Sequence, residues 1–318
     1  MRVLRQAPEQ TDQQVALTIG NFDGVHIGHK AMLGRLIDAA RQRGMPSVVM
    51  TFEPQPQEFF APDQAPARLT SLREKLELLD AEGIDIVFVC RFDYAMAQMP
   101  ADRFVERFVY GALGTRWLQV GDDFRFGARR SGNFDLLASL APKYGYEIEK
   151  TSSIMLEGTR VSSTVVRACL DTGDLDGARR LLGRRYTISG RVERGDGVGS
   201  GLGYPTANVR LGRSKAPLSG IYAVEVEGLG AQPLPGVASL GVRPTVKRQG
   251  RAVLEAHLFD FDRDIYGRRV SVRFLAKLRD EEKFASVDDL VVQMGRDAQQ
   301  AREYFRHRDA GLQAGTQN

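Results

Sequence analysis

Thr18-Ile19-Gly20-Asn21-Phe22-Asp23-Gly24-Val25-His26-Ile27-Gly28-His29 decides how the front of this 318-residue chain folds. It begins at the end of a short apolar run, turns through Gly20 and Gly24, and opens a stretch, residues 30–43, whose apolar positions recur three and four apart. Strand, tight turn and helix in that order put the unpaired N–H groups and the positive dipole end of the helix where an anion is held. His26 and His29 are three apart with Gly28 between them, so both imidazoles can point at one bound phosphate while the backbone comes close. Donors of this kind suit a phosphate on which charge builds as an oxygen attacks and pyrophosphate leaves.

Outward from this turn the first half keeps one rhythm. Residues 15–19, 47–52, 84–90 and 116–120 are short, β-branched and bounded by Gly, Pro or Asp, which predicts strands. Residues 30–43, 73–82, 101–109 and 134–143 carry helical spacing, with Gly44 and Gly83 as stops. This alternation predicts βαβ units, a parallel sheet and a ligand at its carboxyl edge. From Arg184-Arg185 the rhythm changes. Residues 186–192, 220–226, 237–240, 253–261 and 270–278 read as strands separated by turns, the pattern of a small antiparallel barrel or sandwich, before a last helix at 287–305. The short helix 175–182 reads as the connector, the boundary falls near Gly183, and the polar tail after Arg308 reads as disordered.

Composition excludes several classes. At 318 residues, 42% of them apolar, the chain can build two cores, which rules out a disordered or fibrous protein. Lys+Arg 44 against Asp+Glu 40 leaves a net charge of +4 with no block of five like charges, a footprint too weak for a nucleic-acid partner. Cys90 and Cys169 have no partner at metal-ligand spacing and suit a reducing compartment. The first residues carry no signal-peptide core and no 18 apolar residues run together, so a cytoplasmic protein with no membrane partner is expected.

Further stretches carry polar groups of the same kind. Gly121-Asp122-Asp123-Phe124-Arg125-Phe126-Gly127 follows the predicted strand ending at Val120, which puts its polar groups on the ligand side. Arg160-Val161-Ser162-Ser163-Thr164-Val165-Val166-Arg167 offers two cations and three hydroxyls at a helix start, readable as a plain N-cap with solvated arginines or as a phosphate site. In the second half, five glycines at alternate positions from Gly195 to Gly203 precede Pro205-Thr206-Ala207-Asn208. Such a loop can wrap phosphates with backbone N–H groups, and Thr206 and Asn208, two apart on an extended segment, can offer oxygens to a hard Mg2+. The loop is neither a P-loop nor a GxGxxG fingerprint, and alone it also reads as a flexible turn. Glu255 is the only acid in the apolar stretch 253–259, with His257 on the same face. It reads as a general base or as a charge on the solvent face of an edge strand.

His26-Ile27-Gly28-His29 with Ser162-Ser163-Thr164-Val165-Val166-Arg167 resembles the HxGH and SSTxxR motifs of the nucleotidylyltransferase superfamily. The longer runs from Gly20 to His29 and from Val120 to Gly127 are similar to the FMN adenylyltransferase module of bacterial bifunctional riboflavin kinase/FAD synthetases. Pro205-Thr206-Ala207-Asn208 resembles the PTAN motif of riboflavin kinases, and the likeness continues through Leu254-Glu255-Ala256-His257-Leu258 and Ile265-Tyr266-Gly267-Arg268. The resemblance implies an α/β plus β chain: a Rossmann-like nucleotidylyltransferase domain with a parallel sheet over 1–183, and a six-stranded antiparallel β-barrel riboflavin kinase domain with a terminal helix over 184–318. It implies riboflavin, FMN and ATP as substrates, FMN and FAD as products, and Mg2+ in both steps. His26, His29, Arg160 and Arg167 would contact ATP phosphates, assisted by Ser163 and Thr164 and by the turn residues Gly20, Asn21, Phe22, Asp23 and Gly24. Asp123 and Phe124 would place the flavin, Asp123 alternatively Mg2+. Gly195, Gly199 and Gly203 would wrap the kinase nucleotide, Thr206 and Asn208 would hold its metal, and Glu255 would act as base on the riboflavin 5′-hydroxyl.

Two positions depart from the pattern. Gly199-Ser200 stands where Gly-Arg is usual, which removes a cation, and Ala238-Ser239 stands where Ala-Asn is common. Ser200 keeps open a single-activity nucleotidylyltransferase whose barrel only binds; a flavin- or nucleotide-sensing module is the non-enzyme alternative. Nothing in the residues specifies the oligomeric state.

Overall fold

The computed structural model describes residues 1–7, 11, 13–195, 202–242 and 252–315. They pack as two compact units, Met1–Pro66 with Leu72–Ser163, and Ala67–Ser71 with Thr164–Asn318.

Six parallel strands build the sheet of the first unit: β1 (Arg2–Leu4), β2 (Val15–Ile19), β3 (Ser47–Glu53), β4 (Ile86–Arg91), β5 (Thr115–Gly121) and β6 (Glu147–Thr151), in the order β1-β4-β3-β2-β5-β6. Parallel strands are covered on both faces and therefore read as continuous apolar runs; β2 is buried at every position. One face packs on α1 (Ile27–Gln42) through Leu33 and Leu36, and on Leu79 of the helix Leu72–Ala81. The other packs on Phe104, on Phe108 of a π-helix (Val105–Ala112), and on Leu137 of the helix Phe134–Tyr144. A helix expected over 101–109 is thus a short α-turn, Ala101–Phe104, that widens into π geometry and runs on to Ala112. Two edge strands escaped the sequence reading. Arg2–Leu4 has only three residues, and Glu147–Thr151 is mostly polar because it borders the sheet.

The chain runs from β2 to β3 on one side of the sheet and returns to place β5 on the other. The carboxyl edge between β2 and β5 is therefore the topological switch point, where open α/β sheets bind ligands.

Two short antiparallel strands, β7 (Met155–Leu156) and β8 (Thr159–Arg160), follow the parallel sheet. In the second unit a helix at Ser163–Thr172 is followed by another at Leu175–Leu182, stopped by Gly183 at φ 67°. Then come β9 (Thr187–Glu193), β10 (Thr206–Val209), β11 (Gly220–Glu227), β12 (Leu234–Val242), β13 (Ala252–Leu258) and β14 (Arg269–Arg279), closed into a barrel in the order β10-β13-β12-β11-β14-β9. Closure decides between the barrel and the sandwich. Period-two alternation sends Leu254, Ala256 and Leu258 inward and leaves Glu255 and His257 facing out. The terminal helix Val287–Gly315 lies on the outside, seating Ala301 and Phe305 against Ala223, Phe259 and Leu275. It continues past Arg308, where the sequence reading expected disorder; Ala310, Leu312, Gln313 and Ala314 are residues of good helix propensity.

Among the described residues no helix is long and apolar enough to cross a membrane. Both cysteines are free, and burial pushes the Cys90 thiol up to about 12.

Gly190 sits where β9 passes β10, and a Cβ there would overlap the Arg210 carbonyl and meet Val209 at 2.7 Å. Gly190→Ala is expected to cost about 1–3 kcal/mol of barrel stability, read as a lowered unfolding midpoint in calorimetry; an unchanged midpoint contradicts this packing.

Candidate functional site

Between β2 and α1 the backbone takes values that side chains rarely adopt, with φ 47° at Phe22, 82° at Gly24 and 40° at Val25. A β-branched residue holds such a value only where its surroundings over-determine it. Here Phe22, Asp23 and Val25 are all buried, and two hydroxyls grip the turn from outside. Thr51 Oγ1 donates to the Asn21 carbonyl at 3.4 Å, and Ser163 Oγ donates to the Asp23 carbonyl at 2.9 Å. The turn delivers His26 as the N-cap of α1, its Nδ1 accepting the His29 N–H at 3.2 Å. With Nδ1 acting as acceptor, the ring proton sits on Nε2. The two imidazoles stack at 3.6 Å and 14°. Gly28 permits this, since a Cβ there would stand 3.2 Å from the His26 ring. The histidine pair thus forms one slab at a helix N-terminus beside the switch point.

The loop after β5 follows on the neighbouring strand. Asp123 and Arg160, expected on flavin and phosphate respectively, are ion-paired with each other at 2.8 Å, and Asp122 lies 3.4 Å from the same guanidinium. Both partners are exposed, so the pair costs little to exchange for a ligand. Phe124 stacks on Phe126 at 5.4 Å. Thr164 and Arg167 fall in the second unit, where Thr164 is exposed and Arg167 Nε donates to the Ala67 carbonyl at 2.6 Å. An aromatic cluster at the ends of β3 and β4 was not foreseen. Phe59 meets Phe60 at 5.4 Å and Phe92 at 5.5 Å, and Phe52 meets Phe92 at 5.8 Å. Phe60 is 64% exposed, a platform suited to a flat apolar ligand. The adjacent pair Phe59-Phe60 after Pro54 and Pro56 was the available signal.

In the barrel the register assembles the second site. Asn208 of β10 stands opposite Glu255 of β13, and Ser239 of β12 stands opposite Glu255 on the other side. Thr206 pairs with His257, whose Nδ1 lies 2.9 Å from the Pro205 carbonyl, so that nitrogen carries the proton and donates. The barrel has no edge, so Glu255 is not an edge-strand charge; it lines a cavity of about 290 Å3 between the outer barrel face and the terminal helix. Gly195 lies against the Asn208 side chain, leaving no room for a Cβ. Gly203 is exposed at φ 85°, whereas Gly199 and Ser200 lie outside the described residues. Across the cavity, Arg279 clasps the buried Asp297 of the terminal helix through Nε at 2.8 Å and Nη2 at 2.7 Å. The Glu281 carboxyl packs on Gly241, and the desolvation raises its pKa against the opposing pull of Arg279. Neither Arg279 nor Asp297 belongs to a motif read in the sequence.

Two family models match the chain, FAD synthetase over residues 8–165 and riboflavin kinase over residues 182–305. It is 50% identical over 302 residues to the bifunctional riboflavin kinase/FMN adenylyltransferase of Escherichia coli K12, covering 95% of each chain. The protein so named in Haemophilus influenzae is 44% identical over 293 residues, 92% of this chain and 95% of that one. A crystal structure from Streptococcus pneumoniae, described as a macrolide-efflux protein, matches with a TM-score of 0.76 at 30% identity, covering 93% of this chain and 97% of that one.

Removing one partner of the buried Arg279–Asp297 clasp strands a charge. Asp297→Ala is therefore expected to cost about 3–5 kcal/mol, and Arg279→Met with Asp297→Leu together much less. Thermal unfolding of the three chains checks it, and equal midpoints for the single and double variants would contradict a buried pair.

Proposed function

The chain belongs to the bifunctional riboflavin kinase/FMN adenylyltransferase family, and from that premise we propose which residues carry each of its two steps. It phosphorylates riboflavin to FMN with ATP, and it transfers AMP from ATP to FMN, releasing pyrophosphate and FAD. We assign the adenylyl step to residues 1–183 and the kinase step to residues 184–318.

The observation that carries the kinase assignment is the register that sets Asn208 and Ser239 on either side of Glu255. Glu255 takes the proton of the riboflavin 5′-hydroxyl as that oxygen attacks the γ-phosphorus and ADP leaves. Thr206, Asn208 and Glu255 present hard oxygens of the kind Mg2+ accepts. Among the described residues no group of three or more His, Cys, Asp and Glu could hold a metal alone. Thr206, Asn208 and Glu255 would hold the ion, which when bound would neutralise phosphate charge. Gly195, Gly199 and Gly203 give the loop the close backbone approach a polyphosphate needs.

In the first unit an oxygen of the FMN phosphate attacks the α-phosphorus and pyrophosphate leaves. The His26–His29 slab, the first turn of α1 and Gly20 to Gly24 meet the growing charge. Arg160 exchanges Asp123 for the triphosphate, and Asp123 and Phe124 place the flavin; the freed carboxylate would alternatively hold a metal. Ser163, on the same unit, assists the phosphate contacts. No covalent intermediate is needed; positioning and charge neutralisation supply the rate. We place the enzyme in the cytoplasm, in keeping with two free cysteines.

Riboflavin, ATP and Mg2+ incubated with the pure chain should give FMN and then FAD on chromatography; FAD from supplied FMN alone would instead support an inactive barrel, the reading that Ser200 keeps open. His29→Ala should lower FAD formation about 10²–10³-fold and spare FMN formation. Glu255→Gln should lower FMN formation about 10²–10⁴-fold and spare adenylylation of supplied FMN. Equal loss of both activities in either variant, with the fold retained, would contradict two separate sites.

A further inference from the structure

Two hydroxyls hold the turn between β2 and α1 from outside, and one of these clamps is backed by a residue that no motif includes. Lys75, on the helix Leu72–Ala81, has 0% exposure, and its Nζ lies 3.4 Å from Thr51 Oγ1. The Thr51 hydroxyl accepts from that ammonium and donates to the Asn21 carbonyl, at the entrance of the left-handed turn. Ser163 holds the next carbonyl but one, that of Asp23. The position is expensive for a charge. A contact between helix and sheet is ordinarily filled by an aliphatic side chain, as Leu79 does on the same helix, and an ammonium removed from water costs far more than the packing it supplies. What the ammonium provides and a methionine cannot is direction: it orients the threonine hydroxyl, which orients a carbonyl.

We propose that Lys75 and Thr51 are positioning residues for adenylyl transfer, acting in series to aim the turn that carries His26 and His29, with Ser163 as a parallel clamp. Lys75 itself touches no substrate. The inference rests on the assignment of the adenylyl step to this unit.

Thr51→Val keeps the shape and removes the hydroxyl, and Lys75→Met keeps the length and removes the charge. Each should lower kcat for FMN adenylylation about tenfold, the scale of a sub-ångström misplacement, with KM for ATP little changed. Riboflavin phosphorylation by the same chain should be unaffected. Because the two residues act in series, the double variant should be no slower than the slower single one, whereas Thr51→Val with Ser163→Ala should multiply. Ser163→Thr should restore what Ser163→Ala loses. Amide hydrogen exchange at residues 20–26 should quicken in both single variants, which tests the clamp without any assay of turnover. Unchanged exchange and kcat in Thr51→Val, multiplying losses in the Thr51→Val/Lys75→Met double variant, or activity that only tracks a lowered midpoint would overturn the proposal. A wild-type chain that makes no FAD from supplied FMN would instead refute the assigned reaction, and the exchange data would still decide the clamp.

Discussion

A valine held at φ 40° is the constraint from which the first site follows. Left-handed backbone at a residue other than glycine costs roughly 1–3 kcal/mol, and the turn carries two such residues, Phe22 and Val25. Burial of both side chains offsets this, at about 1.5–3 kcal/mol each. The strain persists because it is surrounded, and its result is an entry angle. α1 begins at His26, the capping bond fixes one imidazole, and the stacked second imidazole faces the same end of the sheet.

The second site depends on closure of a sheet. A closed barrel has no edge, so outward-facing residues on adjacent strands form continuous rows. One row runs from Asn208 through Glu255 to Ser239. The terminal helix makes the Glu255 and Ser239 end of this row one wall of a cavity, and the Arg279–Asp297 clasp fastens that helix to β14. Ser239, which in sequence is merely a departure from a family pattern, thereby stands next to the base. A shorter side chain at that position changes what the carboxylate can lean on.

Much of both sites was legible because it is local. The glycines, the histidine spacing and the Thr206-Ala207-Asn208 alternation each act within one turn or strand. What escaped lay outside any motif. Glu74 and Lys75 sit in an amphipathic helix whose charged positions ordinarily face water, yet both are buried. Nothing in a 3.6-residue period says that the sheet beneath offers a threonine hydroxyl. Phe59 and Phe60 became meaningful only once Phe92, more than thirty residues on, packed against them. Arg160 was legible as a cation, but its partner Asp123 was assigned a separate task.

The amino-acid order by itself determined an α/β front and an all-β back, the change of rhythm that divides them, and the residue types able to handle phosphates, metal and a hydroxyl proton. These follow from backbone preferences and donor chemistry that operate over a few neighbouring positions. Tertiary structure alone decided which strand borders which, that Glu255 lies between Asn208 and Ser239, that Ser163 and Thr51 hold the glycine turn, and that an ammonium lies buried behind it. Those facts depend on contacts between residues tens to more than a hundred positions apart, whose free energies exist only after the chain has closed the loops between them.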